Sequence, residues 1–168
     1  MRVAVTGTPG TGKTTATEAV ETALDVIHLN ERIREEGLDA GRDEERDSLV
    51  ADLDAVEAAL AGEDDALIES HLAHHVDADR VVVLRCRPDI LQERLVDRGE
   101  PAAKAAENAE AEALDVVLSE AVAEHGRESV YEIDTTEASP SAVAEAIEAV
   151  IDGERAPAVG TVDFTEHL

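Results

Sequence analysis

Aromatic residues are almost missing from this chain: tryptophan does not occur, and Tyr131 and Phe164 stand alone. A core must therefore be packed from Ala, Val, Leu and Ile, which keep the hydrophobic fraction at an ordinary 43%. Cysteine is as scarce, with Cys86 the single example. That excludes an intrachain disulfide and a Cys-rich metal site, and Cys86 reads as a small core residue. No apolar run approaches the roughly 18 residues of a membrane-spanning helix. The strand-like run Arg2 to Thr6 leaves no room for a signal peptide, so a cytoplasmic protein without a membrane partner is expected. Basic charge is short too. Fourteen Lys and Arg face 40 Asp and Glu for a net charge of −26, and Lys13 and Lys104 are the only lysines. Such a chain lacks the basic stripe that nucleic-acid binding needs, and no direct sequence-specific nucleic-acid binding is expected. At about 1 M salt the Debye length falls to about 3 Å, and an acidic surface ceases to repel itself. The composition resembles that of proteins from salt-accumulating archaea.

A length of 168 residues suits one domain. Apolar runs at Arg2–Thr6, Val26–Leu29, Ala66–Glu69, Val81–Arg85 and Val130–Asp134 read as strands. Between them, helices are expected from Lys13 to about Leu24, Asn30 to Glu36, Arg46 to Leu60, Pro88 to Arg98, Ala105 to Glu124, and from Ser139-Pro140 to Asp152-Gly153. Strands alternating with helices imply an α/β fold: a three-layer open parallel sheet with helices on both faces. The charged stretch at about 28–51 reads as an excursion from the sheet, and residues 153–168 as a tail.

Gly7-Thr8-Pro9-Gly10-Thr11-Gly12-Lys13-Thr14 fits G-x-x-x-x-G-K-[ST] at every fixed position and lies between a strand and a helix, the context a P-loop NTPase requires. Gly10 and Gly12 let backbone N–H groups turn inward around phosphate oxygens. Lys13 is placed to reach the β- and γ-phosphates of ATP, Thr14 to coordinate Mg²⁺, and Thr15 to donate to the α-phosphate. Read from Gly10, a dinucleotide fingerprint would need glycine where Thr15 stands, which excludes NAD.

P-loop proteins hold Mg²⁺ from the far side with a strand-end carboxylate, and Glu69 sits at such an end, with His71 two residues on. Both face the phosphates if the backbone stays extended; otherwise Glu69 is a surface acid and His71, His74 and His75 are solvated loop residues. A zinc site from the three histidines is disfavoured, because nothing nearby in sequence completes the ligand set. Phosphoryl transfer calls for cations that close late over the moving group. Arg94 and Arg98 lie one helical turn apart before a Gly99 hinge and Lys104, a lid-like arrangement in which Arg98 is the catalytic candidate. Arg94 alternatively pairs with Glu93 or Asp97. Arg34 is the candidate for an acceptor phosphate, and Arg32, Arg42 and Arg46 read as balancing nearby acids.

With GTPGTGKTT at 7–15, IREEGLDAGRDEERD at 33–47, VVLRCRPDILQERLVDRG at 82–99 and KAAENAEAE at 104–112, the chain resembles the adenylate kinase isoenzyme 6 family. These are small nucleoside monophosphate (NMP) kinases of archaea and eukaryotes, also linked to small-subunit ribosome assembly. The resemblance implies an NMP-kinase type of fold, an acceptor region at about 28–51 and a lid at about 98–108. It also implies ATP and Mg²⁺ as cofactors, AMP or another NMP as substrate, and ATP hydrolysis. A small-subunit platform ribosomal protein and the pre-ribosome are its implied partners. The sequence departs from the family at Glu69-Ser70-His71, where Asp-x-His is usual, and at Glu100, where tyrosine usually follows the glycine. The turn Thr135-Thr136-Glu137 also lacks a lysine for the adenine edge. Two activities are therefore open: AMP-favouring phosphoryl transfer, or an assembly ATPase using water as acceptor. No guanine-reading Asn/Thr-Lys-x-Asp sequence accompanies either lysine, which makes a GTPase the least favoured reading.

Overall fold

Alternation along the first strand sorts the molecule into two faces. In β1 (Arg2–Thr6), Ala4 points to one side and Val3 and Val5 to the other, and all three are fully buried. A strand apolar on both sides needs cover on both. The computed structural model, which describes residues 1–43 and 48–168, supplies it. The remaining elements are α1 (Lys13–Glu18), β2 (Asp25–His28), α2 (Leu29–Glu36), β3 (Asp39–Asp43), β4 (Ser48–Ala51) and α3 (Leu53–Ala59). They continue with β5 (Ala66–Glu69), β6 (Arg80–Arg85), α4 (Pro88–Asp97), α5 (Ala102–Ala113), α6 (Val116–His125), β7 (Val130–Asp134) and α7 (Pro140–Ile151). Five strands form one wholly parallel sheet in the order β2-β5-β1-β6-β7. Leu29 and Ile33 of α2, Val56 of α3 and Leu118 of α6 cover the Ala4 face. Ala16 of α1 and Val143, Ile147 and Val150 of α7 cover the Val3/Val5 face. A smaller cluster joins Leu91 and Leu95 of α4 to Ala105 and Ala109 of α5 around Cys86, the core residue expected.

Three segments differ from expectation. α1 stops at Glu18, short of Leu24, because the Thr22 hydroxyl accepts the Leu24 N–H at 3.1 Å, a local bond that competes with the helical ladder. Residues 48–51 are a strand, paired antiparallel with β3, and the helix begins only at Leu53, where the Asp52 carboxylate caps the Ala55 N–H at 3.2 Å. Arg46, the expected start of that helix, lies outside the described residues. The helix expected over Ala105 to Glu124 is two helices. They break at Asp115, held at φ 56° while its carboxylate meets the buried Arg85 guanidinium at 2.5 Å.

The tail folds back. Ala158 exchanges backbone hydrogen bonds with Val130 and Glu132 along β7, and Thr161 donates from both N–H and hydroxyl, each at 2.8 Å, to the buried Glu132 carboxylate. Phe164 then lies with its ring 5.4 Å from the Arg85 guanidinium carbon.

Candidate active site

The loop between β1 and α1 is set by close approaches. A Cβ on Gly7 would stand 2.7 Å from the Leu84 carbonyl oxygen, so no side chain fits where the loop leaves the sheet. Gly12, at φ 91°, forms the N-cap of α1. Lys13 follows, and its ammonium turns back into the loop to donate to the carbonyls of Gly7 at 2.9 Å and Thr8 at 3.1 Å. Burial pushes its pKa from the ordinary 10.5 down to about 8, with the Arg98 charge lowering it further and Glu69 and Glu112 opposing.

Parallel pairing sets His28 beside Glu69 at the carboxyl ends of β2 and β5. Glu69 Oε1 accepts from the Thr14 hydroxyl at 2.9 Å and lies 2.8 Å from His28 Nδ1. The extra methylene of glutamate thus carries the carboxylate to the P-loop threonine. Hydroxyl and carboxylate oxygens side by side suit a hard divalent cation. His71 stands on the next turn with Nδ1 3.3 Å from Asn30 Nδ2, and Asn30 Oδ1 accepts from Ser70 at 2.7 Å. Desolvation, then the Lys13 ammonium, push the His71 pKa down to about 4, so its imidazole is neutral at pH 7.

One open cleft is lined by Gly10, Gly12, Lys13, Thr14, Thr15, Glu69, His71, Asn30 and Arg98. Arg98 reaches it from the C-cap of α4, with its side chain 56% exposed. Glu100, standing where the resemblance places tyrosine, lies 3.8 Å from both Arg98 and Lys104. Arg34 is exposed on α2 and is not among the lining residues; Arg32 pairs with Glu36 at 2.7 Å and Glu63 at 3.2 Å. The side chain of Arg42 and all of Arg46 lie outside the described residues. Arg94 contacts the Gly10 and Thr135 carbonyls at 3.4 and 3.5 Å, not Glu93 or Asp97. It borders a second, less polar hollow across the P-loop, floored by Ala138, Pro140 and Val143.

His28, Asn30 and Glu112 escaped the sequence reading. His28 and Asn30 become visible once β2 is placed beside β5, because strand ends in register share a rim. Glu112 carried a signal: it occupies the buried stripe of α5 with Ala105 and Ala109. Its carboxylate accepts from the Thr8 hydroxyl at 3.1 Å, the Cys86 N–H at 2.8 Å and Arg85 Nε at 3.3 Å. Burial pushes its pKa up and outweighs the Arg85 charge.

Sheet order, loop and cleft together define an α/β protein of the P-loop NTPase class, of the NMP-kinase type. A crystal structure of shikimate kinase from Bacteroides thetaiotaomicron shares the fold, with TM-score 0.59 and 16% identity over 90% of this chain and 98% of that one. Residues 3–115 match the AAA domain family. A Halobacterium salinarum protein named "Putative adenylate kinase" is 60% identical over the full length of both chains. One of the same name from Methanothermobacter thermautotrophicus is 44% identical over 99% of this chain and 98% of its own. The chain belongs to this archaeal family.

Proposed function

We propose that the protein is a nucleoside monophosphate kinase that moves the γ-phosphoryl group of ATP onto AMP or a related monophosphate. The observation that carries this reading is the convergence of Lys13, Thr14, Glu69, His71 and Arg98, from three separate segments, on one cleft. The archaeal relatives' name supports the adenylate acceptor.

ATP lies along the loop with its phosphates against the backbone N–H groups of 10–15, and its base in the hollow beside Arg94 and Val143. With no lysine in the turn after β7, the base is held by shape and by the Thr135 and Arg94 backbone and side-chain groups. Lys13 exchanges its loop carbonyls for β- and γ-phosphate oxygens. Thr14 and Glu69 would hold Mg²⁺, which would supply positive charge to the phosphates; His28 fixes the Glu69 carboxylate. Residues 98–108 act as the lid, Glu100 releasing Arg98 onto the transferring group as the lid closes and water is excluded. The acceptor enters from the Asn30 and His71 side through the region at 28–51, where Arg34 meets its phosphate after closure. Neutral His71 orients the acceptor oxygen by hydrogen bonding.

The second reading, an assembly ATPase, rests on the resemblance and on the net charge of −26, which complements a basic ribosomal protein of the small-subunit platform. In it water is the acceptor, and nucleotide state switches affinity for that partner and for the pre-ribosome in small-subunit rRNA maturation. The two are separated by ADP formation in molar KCl with ATP and Mg²⁺, with and without AMP. Stimulation by AMP to on the order of 1 to 100 turnovers per second supports the kinase. Slow ADP release indifferent to AMP supports the ATPase and overturns the first reading.

A further inference from the structure

On the far side of β1 from α7, a second group of chemically capable side chains converges. The turn after β5 folds into a short helical segment over Ala73–His75, and α6 packs across it. His74 Nε2 lies 2.7 Å from Glu120 Oε2, and His75 Nε2 lies 3.4 Å from the same oxygen. One ligand atom from each of the three residues falls within 4.8 Å of the others. Glu120 is 46 residues away from His74 in sequence, so the partner that completes this set appears only in the folded chain. His71 takes no part, being turned to Asn30.

The second ring nitrogens are also held. His74 Nδ1 meets the Thr6 hydroxyl at 2.7 Å, and His75 Nδ1 meets the Glu124 carboxylate. Imidazoles that bind a metal through one nitrogen ordinarily have the other fixed in this manner, because that partner sets tautomer and ring orientation. We propose that His74 Nε2, His75 Nε2 and Glu120 Oε2 form a binding site for a divalent transition ion of the zinc type.

The dimensions allow it. Metal–ligand bonds of about 2.1 Å in a tetrahedron put ligand atoms about 3.4 Å apart. The His75–Glu120 separation has that value already, and the His74–Glu120 pair opens by about 0.7 Å from its 2.7 Å to admit the ion. Glu120 is the side chain that moves, since 44% of it is exposed whereas His74 is buried. Two imidazoles and one carboxylate favour zinc, cobalt or nickel over magnesium or calcium, which prefer all-oxygen sets. The exposed side of Glu120 leaves the fourth position to water. The bound ion ties α6 to the turn after β5 and, through Thr6, to the strand that feeds the P-loop. Its role is to brace that junction, not to take part in phosphoryl transfer.

The test uses the full chain, stripped of metal with a chelator, in molar KCl. Titration with zinc chloride is expected to show one equivalent bound, a rise in Tm of about 5 °C at saturating zinc, and displacement of bound cobalt. Cobalt itself should give the visible absorption of a low-coordinate site. His75→Ala and Glu120→Gln, both at partly exposed positions, should each weaken zinc binding by more than tenfold, and Glu124→Gln by about tenfold. Glu69→Gln should leave it unchanged, which separates this site from the cleft. The proposal is overturned if neither ion binds wild-type protein at millimolar concentration. It is equally overturned if binding survives His75→Ala and Glu120→Gln, or disappears in Glu69→Gln.

Discussion

Lys13 is a charge held where charge is costly. Its surroundings bring its pKa to about 8, while in the unfolded chain it keeps the ordinary 10.5. Between those values the unfolded state binds more protons than the native one, so stability rises with pH across that window. The full effect is about 3 kcal/mol. Denaturant titrations at pH 7.5 and pH 10.5 should show the rise in the nucleotide-free wild type and not in Lys13→Met. On the proposed kinase reading, Lys13→Ala and Arg98→Ala should each lower transfer by about 3 kcal/mol or more, roughly a hundredfold in kcat/KM. Wild-type turnover in either variant would sink that residue's assignment. Lys13, Thr14 and Thr15 were legible because the motif ties residue type to local backbone. Glu69 was legible as a strand end. Arg34 was the weak inference, since a charged helix offers several arginines and nothing local tells which one faces a ligand.

At the scale of elements, the sequence announced every strand of the main sheet, because each holds adjacent apolar residues, from Val26-Ile27 in β2 to Val81–Leu84 in β6, within a stretch of four to six residues. It did not announce the antiparallel β3–β4 pair, since β3 carries a single apolar side chain, Ala40, and β4 runs on into the pattern of the following helix, nor the break between α5 and α6. That break is imposed from a distance by Arg85, a buried guanidinium shared among Glu112, Asp115 and Glu132. A helix pattern read locally cannot register such a constraint. The same cluster joins the start of the P-loop, through Thr8 and Glu112, to α5. Phe164 seals it from the tail side, 7% exposed. Phe164→Ala should therefore cost about 3 kcal/mol of stability and be visible as a lower urea midpoint. An unchanged midpoint would mean that the tail contributes no packing to the cluster.

For the whole molecule, the decisive term is the net charge of −26 on 168 residues. Raising KCl from about 0.1 M to about 2 M cuts the Debye length from about 10 Å to about 3 Å or less and should raise Tm on the order of 10 °C. A Tm that stays flat or falls would contradict the expected salt adaptation. The fold itself owes nothing to this charge: its two aliphatic layers and parallel sheet follow from hydrophobic patterning.

The central claim is that the cleft delivers phosphate to a nucleotide and not to water. A single-turnover reaction in molar KCl tests it most directly, using ATP with radioactive phosphorus at the γ position, Mg²⁺ and excess AMP. The account predicts that the label appears in the β-phosphate of ADP made from AMP, and that Arg98→Ala slows its appearance roughly a hundredfold. Label released as inorganic phosphate at the same rate with or without AMP would contradict it.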